Sequence, residues 1–267
     1  MKVELPRTSP LWKKLRRAQS ARTRESTEAI DGLPALPESD AARRFWSRRT
    51  WSELAAVPAV SQAVLALVRE GAGLGTIGAY TTIAQDEVRH AELSQALAES
   101  LGGYDDEVPD GIEYAPRSLA TPADVPVVVW AVANGCFSET VSLALIRARH
   151  GATKHPTVRL VLNETLKDEA LHVRIGWQIA GELVPKLTQA QRNSLAEYGR
   201  DLTQMIGCTF GTAGLPAKVR RREDALRDET AKASLGALPA AKENAVIAKT
   251  LDEIHARLAK LGVRTQR

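Results

Sequence analysis

The pentapeptide Asp-Glu-x-x-His occurs twice in 267 residues, as Asp86-Glu87-Val88-Arg89-His90 and as Asp168-Glu169-Ala170-Leu171-His172. It constrains the fold because each copy makes chemical sense only on a helix. At about 3.6 residues per turn, a Glu and a His three apart stand about 60° apart round the axis, so both project from one face. One turn can then offer a carboxylate and an imidazole to one cation. With 20 Glu and 5 His in the chain, random placement gives roughly 0.4 Glu-x-x-His matches, so a single match would carry no weight. Two copies, both opened by Asp, carry more. Each is also preceded by another glutamate, Glu53 at 34 residues before Glu87 and Glu139 at 30 before Glu169.

The hydrophobic pattern supplies helices long enough to carry these residues. Leu54, Val57, Val60, Val64, Leu65, Leu67 and Val68 recur at helical spacing, with Ser52 as the expected N-cap. Pro58 must kink that helix or lie close to its start. Gly71-Ala72-Gly73 ends it, and a second helix follows over Leu74–Ser100, stopped by Gly102-Gly103. The next stretch, YDDEVPDGIEYAPRSLATPAD, has three prolines and no periodicity. A third helix is expected from Pro122 or Asp124 to His150, closed by Gly151, and a fourth from Pro156 to Glu182. Two more are expected at 188–206 and 241–261, with one short helix between loops in 211–238. No segment reads as a strand. The fold class is therefore all-α. A short loop, a long crossover and a short loop wire an antiparallel four-helix bundle. The organisation is a basic, partly disordered arm and linker at 1–40, a bundle at 41–186, and a C-terminal helical extension at 187–267 packed on it.

If consecutive helices are antiparallel neighbours, Glu53, Glu87, His90, Glu139, Glu169 and His172 converge on one point. Four carboxylates inside a bundle cost several kcal/mol each as bare anions. Two divalent cations cancel them, with two neutral imidazoles as nitrogen donors. Bridging carboxylates with imidazole suit iron or manganese; zinc sites use fewer protein ligands, and calcium or magnesium would not ask for histidine. Tyr80 lies two turns before Glu87 on the same face, where it is either a phenol beside the ligands or a core aromatic. Cys136, three before Glu139, reads as a small residue packed under that ligand. Arg89 and Arg174 read as outer-face charges, and Trp46, Trp51, Trp130 and Trp177 as packing aromatics.

Composition narrows the context. Aromatics are 4% of the chain, which suits helix packing. Two cysteines, Cys136 and Cys208, allow neither a CxxC pair nor a cysteine-held iron–sulfur centre. No apolar run reads as long enough to span a membrane, and the N-terminus has no apolar region of a secretory signal, so the reducing cytoplasm is the expected compartment. Residues 1–50 carry twelve Lys/Arg against six acids. They read as a solvated lead-in; no nucleic-acid motif accompanies them, and neither nucleic acid nor a membrane is an expected partner.

On these residues the chain resembles the ferritin-like superfamily of di-iron carboxylate proteins. That group places one Glu on each of two helices and Glu-x-x-His on the other two. DEVRHAEL around Glu87, GCFSETVSLA around Glu139 and DEALHVRIGW around Glu169 carry the likeness, over residues 50–182. The resemblance implies Glu53 and Glu139 as terminal or bridging ligands, Glu87 and Glu169 as bridging ligands, and His90 and His172 as terminal nitrogen ligands. Asp86 and Asp168 would each hold a histidine's far N–H. It implies two iron ions, with manganese or a mixed pair as alternatives. It also implies O2 or peroxide, an external electron donor and a small-molecule substrate as partners, and it accommodates a homodimer. The function implied is an oxidoreductase; the alternative is a ferroxidase, storage or detoxification protein. Arylamine N-oxygenases of the superfamily carry a further histidine where this chain has Thr165, and rubrerythrin-like proteins carry a CxxC module that is missing here. A tRNA hydroxylase, which uses a similar centre, has only the basic arm in its favour.

Overall fold

A computed structural model describes residues 35–106 and 126–265, and every regular element in them is helical. The basic arm up to residue 34 and most of the proline-rich connection lie outside the described residues, as does the expected third-helix start at Pro122 or Asp124. Seven helices follow in order: α1 Asp40–Arg69, α2 Leu74–Ser100, α3 from Pro126 to Ala152, α4 Pro156–Leu183, α5 Gln189–Thr209, α6 Ala217–Lys232 and α7 Ala240–Lys260.

Helix α1 starts a full three turns before the expected Ser52. Its N-cap is Ser39, whose side chain accepts from the Ala42 N–H at 3.2 Å, with Asp40 in the first turn where the helix dipole favours an anion. The basic run Arg43, Arg44, Arg48 and Arg49 therefore belongs to a helix and not to a lead-in. Sequence patterning missed this turn because its buried positions include Ser47, Arg48 and Thr50 beside Phe45 and Trp46. Pro58 lies well inside the 30-residue helix. Gly71, at φ +68°, makes the turn into α2 that a side chain would strain.

Helix α3 is composite: α-helical over Pro126–Trp130, π-helical over Ala131–Ser138 and α-helical again over Glu139–Ala152. It runs through Gly151, which was expected to close it. Helix α4 opens on Pro156 at its first turn. Thr188 and Gln191 form a capping box at the start of α5. Helix α6 has 16 residues, longer than the short helix expected there. Its mostly charged sequence hid the length.

Helices α1 and α2 pack along each other across a short link, as do α3 and α4, and α2 meets α4 while α1 meets α3. The four enclose a common interior. Leu36, Trp46, Leu93, Leu97, Ile146 and Leu162 fill one end of it, and Val60, Leu67, Tyr80 and Ile83 fill the other. A third cluster joins Phe137 of α3 and Trp177 of α4 to Leu195 and Leu202 of α5 and Ile254 of α7. By length and mean hydropathy, α1 and the stretch Val127–Ala152 each suffice to cross a membrane, although no uninterrupted apolar run does. In the second, 67% of the apolar window is buried within the protein.

Candidate metal centre

Four helices deliver the six predicted donors to this interior. Glu53 comes from α1, Glu87 and His90 from α2, Glu139 from α3, and Glu169 and His172 from α4; none is more than 6% exposed. They fall into two sets, Glu53 with His90 and Glu169, and Glu87 with Glu139 and His172. Within each set one ligand atom per residue lies within 4.8 Å of the others. The imidazole centroids are 6.0 Å apart. Glu87 spans the gap, with Oε2 at 3.6 Å from His90 Nδ1 and Oε1 at 3.5 Å from His172 Nδ1. Glu169 does the same from the other side, at 4.0 and 3.9 Å. Each carboxylate thus turns one oxygen towards each histidine.

The two motifs orient each other. His90 Nε2–H donates to Asp168 Oδ2 at 3.1 Å, and His172 Nε2–H donates to Asp86 Oδ2 at 3.3 Å. Each Asp holds the histidine of the opposite motif. With the proton on Nε2, each Nδ1 would present its lone pair to the interior, the tautomer a metal ligand needs; His172 Nδ1 lies 3.3 Å from Glu139 Oε2.

Charge bears on what the cluster could hold. Burial pushes the Glu53 carboxyl up to about 7, against the pull of Arg49. Burial, then the Glu139 charge, raises Glu87, and the same two causes raise Glu169 well above the carboxylate range. Burial opposes ionisation of Glu139 too, but His172 outweighs it and holds Glu139 below its ordinary value. Burial pushes His90 down to about 3, whereas the carboxylates of Asp86, Glu139 and Glu87 overcome burial at His172 and raise it. Glu87 Oε1, Glu169 Oε2 and His90 Nδ1 are buried without a hydrogen-bond partner. Inward lone pairs of that kind cost free energy unless something electrophilic meets them. A cation pair fits: it would accept all three.

Two arginines enter the balance, and sequence reasoning had placed both elsewhere, Arg89 on an outer face and Arg49 in a solvated lead-in. Arg89 is not on the outer face but 3% exposed, paired with Asp168 and 4.0 Å from Asp86. Its position in Asp-Glu-x-Arg-His turns it toward the Asp residues once α2 and α4 pack. Arg49 pairs with Glu53 one helical turn away. With every carboxylate ionised and both imidazoles neutral, the state a metal pair would require, four Glu and two Asp against these two arginines leave a deficit of four positive charges among the described residues. Two divalent ions make that good. Arg174 does lie exposed, as expected. Ser142, one turn after Glu139, donates to Glu169 Oε1 at 2.9 Å and was also missed.

Tyr80 and Cys136 are both buried, and of the two only the Tyr80 phenol interacts with the donors, through charge. Burial raises both, with Glu139 and His172 acting on the phenol from a distance. Tyr80 packs in the Val60–Leu67 cluster as a core aromatic, and Cys136 is fully buried among apolar neighbours. Trp46 and Trp51 donate to the Leu235 and Asp105 carbonyls, and Trp177 to Thr140 Oγ1, which are packing roles.

A cavity of about 580 Å³ reaches Glu139 from one side. Its walls are Ala55, Ala56 and Ala59 of α1, Trp130 and Asn134 of α3, and Met205 of α5. Asn134 is 8% exposed, and its Nδ2 has no hydrogen-bond partner. No protein-family model matches the chain, and no curated protein matches it.

Proposed function

We propose that this chain is a ferritin-like di-metal carboxylate oxidoreductase that uses O2 or peroxide on a small-molecule substrate. The carrying observation is the pair Glu87 and Glu169, each turning one oxygen to each of two inward-facing imidazoles. In this reading Glu53, His90 and Glu169 would hold one ion and Glu87, Glu139 and His172 the other, with Glu87 and Glu169 each able to reach both. Two iron ions are the assignment, with manganese or a mixed pair as alternatives, because carboxylate-rich donors with one nitrogen per ion suit those metals. A bound pair of this kind supplies redox chemistry towards O2 or peroxide.

The chain's own residues do the rest. Asp86 and Asp168 fix both tautomers, and Arg89, paired with Asp168 and 4.0 Å from Asp86, offsets one of the two aspartate charges. Tyr80, Ile83 and Val60 close one end of the interior to water. The cavity beside Glu139 favours the enzyme over the ferroxidase or storage alternative, since it offers volume for an organic molecule next to the ligands. The missing CxxC module makes the electron donor an external one.

Elemental analysis of purified protein should give about two metal ions per chain. Glu87→Ala and Glu169→Ala should each lose most of that metal; a full complement in either variant would refute the assignment. Iron accumulating far beyond two ions per chain in a large assembly would favour storage.

A further inference from the structure

The cavity beside Glu139 does not end at its apolar walls. Ser52, Thr209 and Phe210 line both it and a second, smaller pocket of about 40 Å³. That pocket is walled by Arg48 and Arg49 of α1, Arg149 of α3 and Arg227 of α6. Four guanidinium groups around so small a space are unusual in a protein interior, where a charge is tolerated only when paired. Glutamates do pair with them. Arg48 lies 3.4 Å from Glu223, Arg149 2.8 Å from Glu243, and Arg227 2.9 Å from Glu243; Arg49 meets Glu53. A guanidinium carries five N–H groups, so these contacts do not exhaust the donors. The pairings also hold the arginines rigidly, which lowers the entropic cost of binding an anion. A space of about 40 Å³ holds one or two waters' worth of matter, the size of a carboxylate group.

We propose that the substrate is an apolar monocarboxylate. Its carboxylate sits among Arg48, Arg49, Arg149 and Arg227, and its apolar body passes Glu139 and extends along Ala55, Ala56 and Ala59 towards Trp130. The proposal rests on the oxidoreductase reading above and names the substrate class for that site. Two features support the direction of binding. Beyond Ser52 the α1 side of the cavity is Ala55, Ala56, Ala59 and Val60, with Trp130, Ala133 and Met205 also lining it, which suits a hydrocarbon chain; Asp201 and Gln204 of α5 line it too. Asn134, whose Nδ2 has no hydrogen-bond partner, lines the same cavity between Glu139 and Trp130 and offers a donor to a polar atom of a bound chain. The arginine pocket also lies on the seam where α6 meets α1, so the C-terminal helices complete the substrate site rather than merely covering the bundle.

Binding of decanoate to the metal-free 267-residue chain, measured by calorimetry, tests the head group without depending on activity. Decanoate should bind about ten- to a hundredfold more tightly than decanol, the gain expected of hydrogen bonds to a charged group. Decyl phosphate should bind more weakly than decanoate. Arg48→Gln should remove most of the preference for decanoate over decanol while retaining two metal ions per chain. Ala56→Phe should weaken decanoate and decanol alike, with the metal again retained. Equal binding of decanoate and decanol, or tighter binding of decyl phosphate, would overturn the carboxylate assignment. If the wild-type protein then still held two metal ions, the dimetal reading would survive that loss. Absence of metal from wild-type protein would instead remove the reading on which the proposal rests.

Discussion

Gly135 and Gly176 are where α3 and α4 come closest. A methyl group added at Gly176 would lie 2.2 Å from the Gly135 Cα, and one added at Gly135 would lie 2.3 Å from the Gly176 Cα. Both obstacles are backbone, so neither can rotate away. Gly176 stands one turn after His172 and Gly135 one turn before Glu139, so any separation of the helices acts on two candidate ligands. Gly176→Ala should cost about 1–3 kcal/mol of stability by overpacking, read from urea denaturation, and should lower metal content. A fully stable variant with unchanged metal would show that the helices can part at that point without disturbing the donors. Arg89 makes a related point about charge. Its neighbours in sequence suggested a surface position, yet it is the cation that lets two buried aspartates hold two histidines.

At the level of elements, the π-helical stretch Ala131–Ser138 directly precedes Glu139. A π turn inserts an extra residue into the helical repeat and shifts every side chain after it. It therefore sets the direction from which Glu139 and Ser142 approach the centre, and it also lays Asn134 along the cavity. The C-terminal helices are tied to the first four by a buried ion network, in which Glu243 of α7 accepts from Arg149 of α3 and Arg227 of α6. Burial works against ionisation of Glu243, but the charge of Arg149, its hydrogen bond and Arg227 together hold the carboxyl below its ordinary value. A depressed carboxyl stabilises the fold above the ordinary carboxylate range and loses that contribution as pH falls through its folded value. Glu243→Gln should therefore cost about 3–5 kcal/mol near neutral pH, the usual effect of breaking a buried pair. The gap from wild type should close as the pH falls below about 4, as thermal melts across pH would show. A constant gap at all pH values would mean that Glu243 acts by shape and not by charge.

Over the whole molecule, any cation entering the interior would have to compete with protons. Three of the four candidate glutamates hold their protons more tightly than free carboxyls do, Glu53 up to about 7. Metal binding must release those protons, so affinity should fall as pH drops from 7.5 to 5.5. Adding manganese or ferrous ion should raise the melting temperature, and by more at the higher pH. A shift of equal size at both pH values would separate metal binding from these carboxylates. What the amino-acid order determined by itself was local: helices from their 3.6-residue period, the carboxylate–imidazole pair within one turn, and the glutamate upstream of each. Those follow from spacing along one chain, which needs no neighbour. Only tertiary structure decided that each aspartate serves the other motif's histidine, that Arg89 and Arg49 turn inward, and that α6 brings Arg227 to the pocket shared by α1 and α3. Each of these joins residues on different helices or depends on which face a packed helix buries. Electrostatic energy depends on that final distance and burial, and neither is encoded in the interval between two letters.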